Sequence, residues 1–250
     1  FSQLKINQQT AALCVSRPTN PTGNVLTDDE VEHLDEIARQ ANIPLIIDSA
    51  YGLPFPGILF NKAKPHWNEN TVLVLSLSKL GLPGVRTGIV VGSEELISAF
   101  TNANTVVSLA CGNFGPTIAR ELFKSGEILS LGRDLIKPFY RDRATQAVEW
   151  FGQALGDVSY RIHKPEGAIF LWLWFEGLPI TSQELYERLK ARGVLIVPGH
   201  NFFPGMDDGW QHQQECIRVS YAQDAESVRK GIHLIAEEVT HARTHARTHA

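Results

Sequence analysis

The sequence has little of what marks several classes of protein. Its three cysteines (Cys14, Cys111 and Cys216) are scattered without paired spacing, which argues against a disulfide framework or a zinc site. We expect each of them to be a small buried hydrophobe in a reducing compartment, taken as the cytoplasm. No apolar run approaches the roughly 18 residues that a membrane span needs. The apolar stretch from Ile169 to Phe175 instead fits a strand that is buried on both faces.

Positive charge is not in excess either. The 250 residues include 23 Lys and Arg against 27 Asp and Glu, without a basic stripe, so we expect no nucleic-acid partner. The hydrophobic share of 43% is typical of globular proteins, and the length permits one large domain or two smaller ones. The first residue is Phe1 and no signal peptide is present, so we interpret the chain as part of a longer protein.

The order of predicted elements indicates an α/β fold. A strand over 11–16, a helix that opens with the capping-box spacing of Thr27 and Glu30, and a strand ending at Asp48 predict a βαβ unit. Strands over 71–76 and 88–91 would extend this parallel sheet. Helices are predicted over 94–103 and over 129–155, the second interrupted by Pro138.

A second region has a different pattern. Strands are predicted over 158–162, 168–175, 194–197 and 216–221, and helices over 181–193 and after Asp224. We therefore expect a large domain over 1–130, a smaller α+β domain over 131–240 and a low-complexity tail over 241–250. The tail repeats every four residues, and His241, His245 and His249 would share one helical face with metal-binding chemistry. We interpret it instead as a disordered or extraneous end, and assign it no function and no metal.

The stretch from Thr71 to Gly88 carries the most distinctive chemistry. An apolar run ends in Ser76, Ser78 and Lys79, and a loop rich in glycine and proline then leads to Arg86. An amine can condense with an aldehyde as a Schiff base, while hydroxyls and a guanidinium suit a phosphate. The set therefore suits a cofactor with both groups. The alternative for Lys79 is a strand-end lysine that extends its amine into water.

Three further segments complete a pattern. They are the turn from Ser16 to Gly23, the segment from Asp48 to Tyr51, and Arg218 on the last predicted strand. With Lys79 they resemble the fold-type I pyridoxal-phosphate-dependent aminotransferases of class I/II, over nearly all of residues 11–240. The resemblance implies a PLP-dependent transferase-like fold: a mostly parallel sheet flanked by helices, here the later part of the cofactor domain, followed by a smaller α+β domain. Arg86 stands one residue closer to the lysine than in most of the family.

The resemblance also implies a role for each matching residue. Lys79 would form a Schiff base with pyridoxal 5'-phosphate and then shuttle a proton, and Asp48 would pair with the protonated ring nitrogen. Tyr51 and Asn20 would hydrogen-bond the phenolic oxygen of the ring. Taken alone, Asp48 is also compatible with a capping or surface carboxylate, Tyr51 with a half-buried aromatic residue and Asn20 with a turn residue.

The remaining matches concern phosphate and substrate. Ser76 and Arg86 match phosphate ligands, with Ser78 a weaker candidate. Arg218, with Asn20, matches the group that grips the substrate α-carboxylate, although a salt bridge is an equal alternative for an arginine on a late strand.

Two stretches, over 162–172 and 193–205, resemble those of aminotransferases that act on valine and pyruvate. Phe202, Phe203 and Ala168 are predicted to border an apolar pocket for a branched or small side chain, or else to be core residues. The resemblance implies a homodimeric transaminase that acts by a ping-pong mechanism on an L-amino acid such as valine and a 2-oxo acid such as pyruvate. The alternatives are a C–S lyase or decarboxylase on the same scaffold, and a non-catalytic sensor that follows a DNA-binding domain.

Overall fold

The chain divides into two units of structure, and the computed structural model describes residues 4–206 and 209–248. Unit 1 consists of Phe1–Thr19, Val25–Pro138 and Glu166–Ala168, and unit 2 of Asn20–Asn24, Phe139–Pro165 and Ile169–Ala250. The predicted division near residue 130 differs from this in position, and it also assumes that each domain is continuous. Asn20–Asn24 belongs to unit 2 and Glu166–Ala168 to unit 1, although the residues around each belong to the other unit. The composition of these short segments does not distinguish them from their neighbours, so the sequence does not predict their placement.

Unit 1 contains a four-stranded, mostly parallel sheet. Its elements are β1 (Leu13–Ser16), α1 (Asp28–Gln40), β2 (Leu45–Asp48), β3 (Thr71–Ser76), β4 (Gly88–Val91), α2 (Glu94–Ser108), α3 (Phe114–Ser125) and α4 (Glu127–Ser130). The strand order is β1-β2-β3-β4, and β4 runs antiparallel to β3. The connection from Ser76 to Gly88 is too short for the helical crossover that a parallel pair usually needs, which explains the reversal.

Helix α1 begins at the predicted capping box. The Thr27 hydroxyl accepts a hydrogen bond from the Glu30 N–H at 3.2 Å, and the Glu30 carboxylate accepts one from the Thr27 N–H at 2.8 Å. The apolar positions of the helix recur at helical spacing and pack on the sheet. The buried cluster they form includes Val31, Leu34 and Ala38 from the helix and Leu45, Ile47, Leu73 and Leu75 from the strands.

The helices after β4 differ from the prediction. α2 continues to Ser108, and α3 was not predicted because Gly115 and Pro116 in its first turn obscure the helical pattern. Both residues are tolerated there, since the first N–H groups of a helix have no intrahelical partner. The predicted helix over 129–155 is divided into α4, a π-helical stretch (Leu131–Ile136) and α5 (Lys137–Leu155), with Pro138 in the first turn of α5.

Unit 2 contains a second, antiparallel sheet of order β5-β6-β8-β7. Its further elements are β5 (Arg161–Ile162), β6 (Phe170–Trp174), α6 (Ser182–Ala191), β7 (Val197–Pro198), a 3-10 turn (Gly199–Phe202), α7 (His212–Glu215), β8 (Cys216–Ser220) and α8 (Ala225–Thr248). β5 keeps only the last two residues of the predicted strand over 158–162, and β7 shares only Val197 with the predicted strand over 194–197. In both cases the pairing with the longer partner strand, β6 or β8, covers only two residues.

The prediction of a disordered tail is wrong up to Thr248, because α8 extends through the repeat. Alanine and arginine favour helix, and Arg243 Nη2 donates to the carbonyl oxygens of Ser159 at 3.1 Å and Glu176 at 2.9 Å. The rings of His241 and His245 are in contact, whereas His249 lies outside the described residues. Within the described part of the chain, no group of three or more His, Cys, Asp or Glu residues is placed to hold a metal.

Cysteine burial follows the prediction at one position of three. Cys216 is buried, but Cys14 and Cys111 are exposed. Cys14 lies on β1, which is the edge strand of its sheet, and Cys111 lies in the connection between α2 and α3. Across residues 4–206 and 209–248, no helix combines the length and apolar character required to cross a membrane.

Candidate active site

Polar side chains gather at one edge of the sheet in unit 1. Ser16, Asp48 and Ser76 are the last residues of β1, β2 and β3, and the register pairs Ser16 with Asp48. The carboxyl ends of parallel strands meet at the same edge, where α/β proteins bind their ligands. Three of the predicted segments therefore meet at this edge. The turn from Ser16 to Gly23 begins at the end of β1, residues 49–51 follow β2, and the turn with Lys79 follows β3.

Asp48 is held by the backbone around it. Its carbonyl oxygen accepts a hydrogen bond from the Arg17 N–H at 2.9 Å, and its Oδ1 accepts one from the Ala50 N–H at 2.9 Å. The side chain is half-buried. A carboxylate held in this way is a suitable partner for a protonated ring nitrogen, which would donate to it.

Lys79 lies in a 3-10 turn (Ser78–Leu80) directly after β3. The Ser78 N–H donates to Ser76 Oγ at 3.1 Å at the start of this turn, and Gly81 ends it with a φ of 106°, which favours glycine. Lys79 Nζ lies 5.2 Å from the centroid of the Tyr51 ring, a cation–π distance. The structure therefore brings together the amine and the phenol that were predicted to act on the same cofactor.

Arg86 is placed differently from the other predicted phosphate ligands. It is exposed, whereas Ser76 and Ser78 are half-buried. Its backbone is left-handed with a φ of 48°, and its Nη1 donates to the carbonyl oxygen of Pro83 at 3.4 Å. The guanidinium is thus held within its own loop, and a phosphate would have to replace the Pro83 contact.

The predicted carboxylate-binding pair lies in unit 2. Arg218 Nη1 donates to Asn20 Oδ1 at 2.7 Å. Phe202 packs on the Arg218 guanidinium, whereas the ring of Phe203 contacts the aromatic residues Trp172, Trp210 and His212. These contacts favour the packing alternative for Phe203. Ala168, the third predicted pocket residue, is fully buried in unit 1 with a φ of 62°.

Sequence reasoning assigned no role to Arg17, which is buried beside the site edge. Its Nε, Nη1 and Nη2 donate to the Leu26 carbonyl, the Lys64 carbonyl and the Asp28 carboxylate. The hydrogen bond from the Lys64 N–H, followed by the one from Arg17, holds the pKa of Asp28 below its ordinary value. Arg17 therefore ties the turn after β1 to the start of α1. Nothing in the sequence pattern shows that the backbone of Lys64, 47 residues later, accepts a hydrogen bond from it.

The donor set fits pyridoxal phosphate. One edge of unit 1 carries a lysine amine, a carboxylate and serine hydroxyls, which are the groups suited to an aldehyde, a ring nitrogen and a phosphate. A sequence model of the aminotransferase class I and II family matches residues 2–235. The chain belongs to this family.

Two relatives show how this family member compares with known proteins. It is 53% identical over 242 residues to valine–pyruvate aminotransferase of Escherichia coli (strain K12). The aligned region covers 97% of this chain and 58% of that enzyme. The crystal structure of valine–pyruvate aminotransferase AvtA from Salmonella typhimurium LT2 is 51% identical and superposes with a TM-score of 0.92 over 97% of this chain and 63% of that one. The chain thus spans less than two thirds of the length of both aminotransferases.

A third relative has a different description. An uncharacterised HTH-type transcriptional regulator of Bacillus subtilis (strain 168), YisV, is 30% identical over 210 residues. These cover 81% of this chain and 40% of the regulator. A sequence similar to most of this chain therefore also occurs within a protein described as a regulator.

Proposed function

We propose that the chain is the later part of a pyridoxal-phosphate-dependent aminotransferase that moves the amino group of L-valine to pyruvate, giving alanine. The observation that carries the proposal is the Lys79 amine over the Tyr51 ring, beside the strand end that presents Asp48, in a member of the aminotransferase family. The choice of valine and pyruvate is supported by 53% identity to an enzyme named for them.

The cofactor would be held in unit 1. Asp48 would accept a hydrogen bond from the ring nitrogen, Tyr51 would donate to the phenolic oxygen, and Ser76, Ser78 and Arg86 would bind the phosphate. When bound, pyridoxal phosphate supplies an aldehyde that captures an amine and a ring that takes up electrons from the substrate α-carbon.

Lys79 has two tasks in this proposal. Its Nζ would hold the cofactor aldehyde, and as a free amine it would take the proton from the substrate α-carbon. The turn over Ser78–Leu80 fixes the Lys79 backbone at the sheet edge, and the Tyr51 face stabilises the protonated amine. This attraction acts on the protonated amine, which it holds beside the phenol.

Arg218 would bind the substrate α-carboxylate. A guanidinium binds a carboxylate through two parallel N–H···O hydrogen bonds, so it fixes the orientation of the amino acid as well as its charge. Asn20 supports this role because its Oδ1 holds Arg218 Nη1 at 2.7 Å. The amide nitrogen of Asn20 would be the group that donates to the phenolic oxygen of the cofactor.

The wider assignments are also proposals. We assign cofactor binding to residues 1–130, in what would be the later part of a large domain, and a smaller domain to residues 131–240. We further propose that the full-length protein is a cytoplasmic homodimer in amino-acid biosynthesis. The 53% identity to an aminotransferase, which extends over 97% of this chain, supports these assignments.

A second candidate function is a non-catalytic sensor that binds an amino acid or the cofactor. The specific observation in its favour is the 30% identity to a protein described as an HTH-type transcriptional regulator. A sensor needs the binding residues but no turnover, so the two functions differ in whether the bound cofactor changes with substrate.

The experiment is the visible absorption spectrum of the purified chain with pyridoxal phosphate, recorded before and after L-valine and again after pyruvate. Transamination predicts a visible band that bleaches with valine and returns with pyruvate, and that is missing in Lys79→Arg, which keeps the charge but not the reactive amine. A band in the unaltered chain that ignores every amino acid tested would favour the sensor. The same band in Lys79→Arg would contradict the role of Lys79.

A further inference from the structure

Arg218, on the sheet of unit 2, lies close to two aromatic rings. Its guanidinium carbon is 4.4 Å from the centroid of the Phe170 ring and 5.0 Å from that of the Phe202 ring. Both distances are within the roughly 6 Å over which a cation and an aromatic ring attract each other. Together with the hydrogen bond to Asn20, these contacts constrain the guanidinium in several directions.

The two rings reach Arg218 from different elements. On β6, Trp172 pairs with Arg218, so Phe170, two residues earlier, lies on the same face as its diagonal neighbour. Phe202 comes from the 3-10 turn that follows β7. The arrangement therefore depends on the register between β6 and β8 and on the position of the turn.

The turn is held close to β8 at Gly199. A Cβ at this position would lie 2.5 Å from the Cys216 carbonyl oxygen and 2.7 Å from that of Gln213, so only glycine permits the approach. At the other end of the turn, the Phe202 ring packs edge-on against Trp172 with centroids 5.5 Å apart. Backbone contact and ring packing thus both fix Phe202 over Arg218.

We propose that Phe170 and Phe202 are positioning residues that hold the plane of the Arg218 guanidinium for carboxylate binding. The inference rests on the proposed function, in which Arg218 binds the substrate α-carboxylate. A carboxylate binds to the N–H groups in the plane of a guanidinium, whereas an aromatic ring attracts the cation through its π face and accepts none of these hydrogen bonds, so the rings leave the donors available. They restrict rotation of the group before binding, which lowers the conformational entropy lost when the carboxylate arrives.

Three variants separate positioning from simple packing. Phe202→Leu removes one ring and keeps an apolar side chain, while Phe202→Tyr keeps the ring. Phe203→Leu is the matched control, because Phe203 is the next residue and its ring contacts Trp172, Trp210 and His212 instead. The control loses a similar apolar area from the same aromatic cluster and leaves both rings on Arg218.

The first readout is the NMR signal of the Arg218 Nε–H, identified by its loss in Arg218→Lys. A ring shifts the resonance of a proton above its face, so the signal reports the rings directly and needs no cofactor. We expect Phe202→Leu to move it towards the position of an exposed arginine, and Phe202→Tyr and Phe203→Leu to leave it nearly unchanged. An unmoved signal in Phe202→Leu, or an equal shift in Phe203→Leu, would overturn the inference.

The second readout is the affinity for 3-methylbutanoate, which is valine without its amino group, followed on the same signal. We expect binding to weaken roughly three- to tenfold in Phe202→Leu, the effect of one cation–π contact, and to recover in Phe202→Tyr. Equal weakening in Phe203→Leu would overturn the inference. If the unaltered chain does not bind 3-methylbutanoate, the carboxylate role of Arg218 in the proposed function fails, and the Nε–H signal still decides whether the rings position the group.

Discussion

Arg17 is a buried cation whose removal we expect to destabilise unit 1. The residue is 5% exposed, and its three donor nitrogens are all engaged. Nε donates to the Leu26 carbonyl at 2.7 Å, Nη1 to the Lys64 carbonyl at 3.0 Å and Nη2 to the Asp28 carboxylate at 2.7 Å. The substitution Arg17→Met keeps most of the apolar stem and removes every one of these donors.

The expected loss of unfolding free energy depends on how far Arg17 and its hydrogen-bond partners are buried. A hydrogen bond to a charged group contributes at least about 1.5 kcal/mol, so the three bonds together would contribute roughly 4–5 kcal/mol if all partners stayed dry. The Asp28 side chain is 35% exposed and Lys64 is exposed, so water replaces part of what is lost. We expect Arg17→Met to lower the free energy of unfolding by about 3 kcal/mol, the lower end of the cost of breaking a buried ion pair.

The assay is urea denaturation followed by circular dichroism. Arg133→Met is the matched control, because Arg133 forms an equally short pair with Asp134 at 2.6 Å but its side chain is 72% exposed. Water and flexibility cancel most of the value of an exposed pair, so we expect no measurable change there. A loss below about 1 kcal/mol in Arg17→Met, or an equal loss in both variants, would refute the argument from burial.

Three further predictions follow from the described contacts. The Lys64 N–H and the Arg17 guanidinium lower the pKa of Asp28. The contribution of this carboxylate to the free energy of unfolding is therefore complete above the unfolded pKa of about 3.9, and is lost as pH falls through the folded pKa. Asp28→Asn should flatten this part of the acid-unfolding curve. Burial raises the pKa of the Cys216 thiol to about 12, so a thiol reagent at mildly alkaline pH should label the two exposed cysteines and reach Cys216 only after denaturation. Gly199→Ala should lower the free energy of unfolding by about 2 kcal/mol in urea, because its Cβ would overlap the Cys216 carbonyl.

Each of these has a result that would contradict it. An Asp28→Asn variant with the acid-unfolding curve of the unaltered chain would show that the carboxylate contributes nothing. Equal labelling rates for all three cysteines in the folded chain would contradict the burial of Cys216. For the glycine, Gly84→Ala is the control, since no atom lies within 4 Å of the Cβ it would gain. Equal stability of the two variants would contradict the close approach at Gly199.

Local signals in the sequence predicted much of unit 1. The capping box at Thr27 and the β-branched run before Ser76 each specify their element through neighbouring residues, and both elements form there. The direction of β4 depends on the length of a loop, and the grouping of residues 20–24 with unit 2 depends on tertiary contacts. Neither is encoded in the periodicity of a single segment. The helical tail was missed because low complexity was given more weight than helix propensity.

In the candidate site, too, the features set by neighbouring residues could be predicted and those set by tertiary contacts could not. Asp48 and Lys79 could be predicted because Asp48 ends one recognisable strand and Lys79 lies in the turn after another, and strand ends are where α/β proteins bind ligands. The surroundings of Arg218 could not be predicted in this way. The pairing register between β6 and β8, and the turn that brings Phe202, exist only in the folded chain.

The central claim is that Lys79 holds the aldehyde of pyridoxal phosphate. The most direct test is to mix the chain with the cofactor, reduce with borohydride, digest it and locate the covalent adduct by mass spectrometry. We predict a single major adduct on the Lys79 side chain, formed less when L-valine is present, and its loss in Lys79→Arg. An adduct spread over exposed lysines, or one that persists in Lys79→Arg at the same yield, would contradict the assignment.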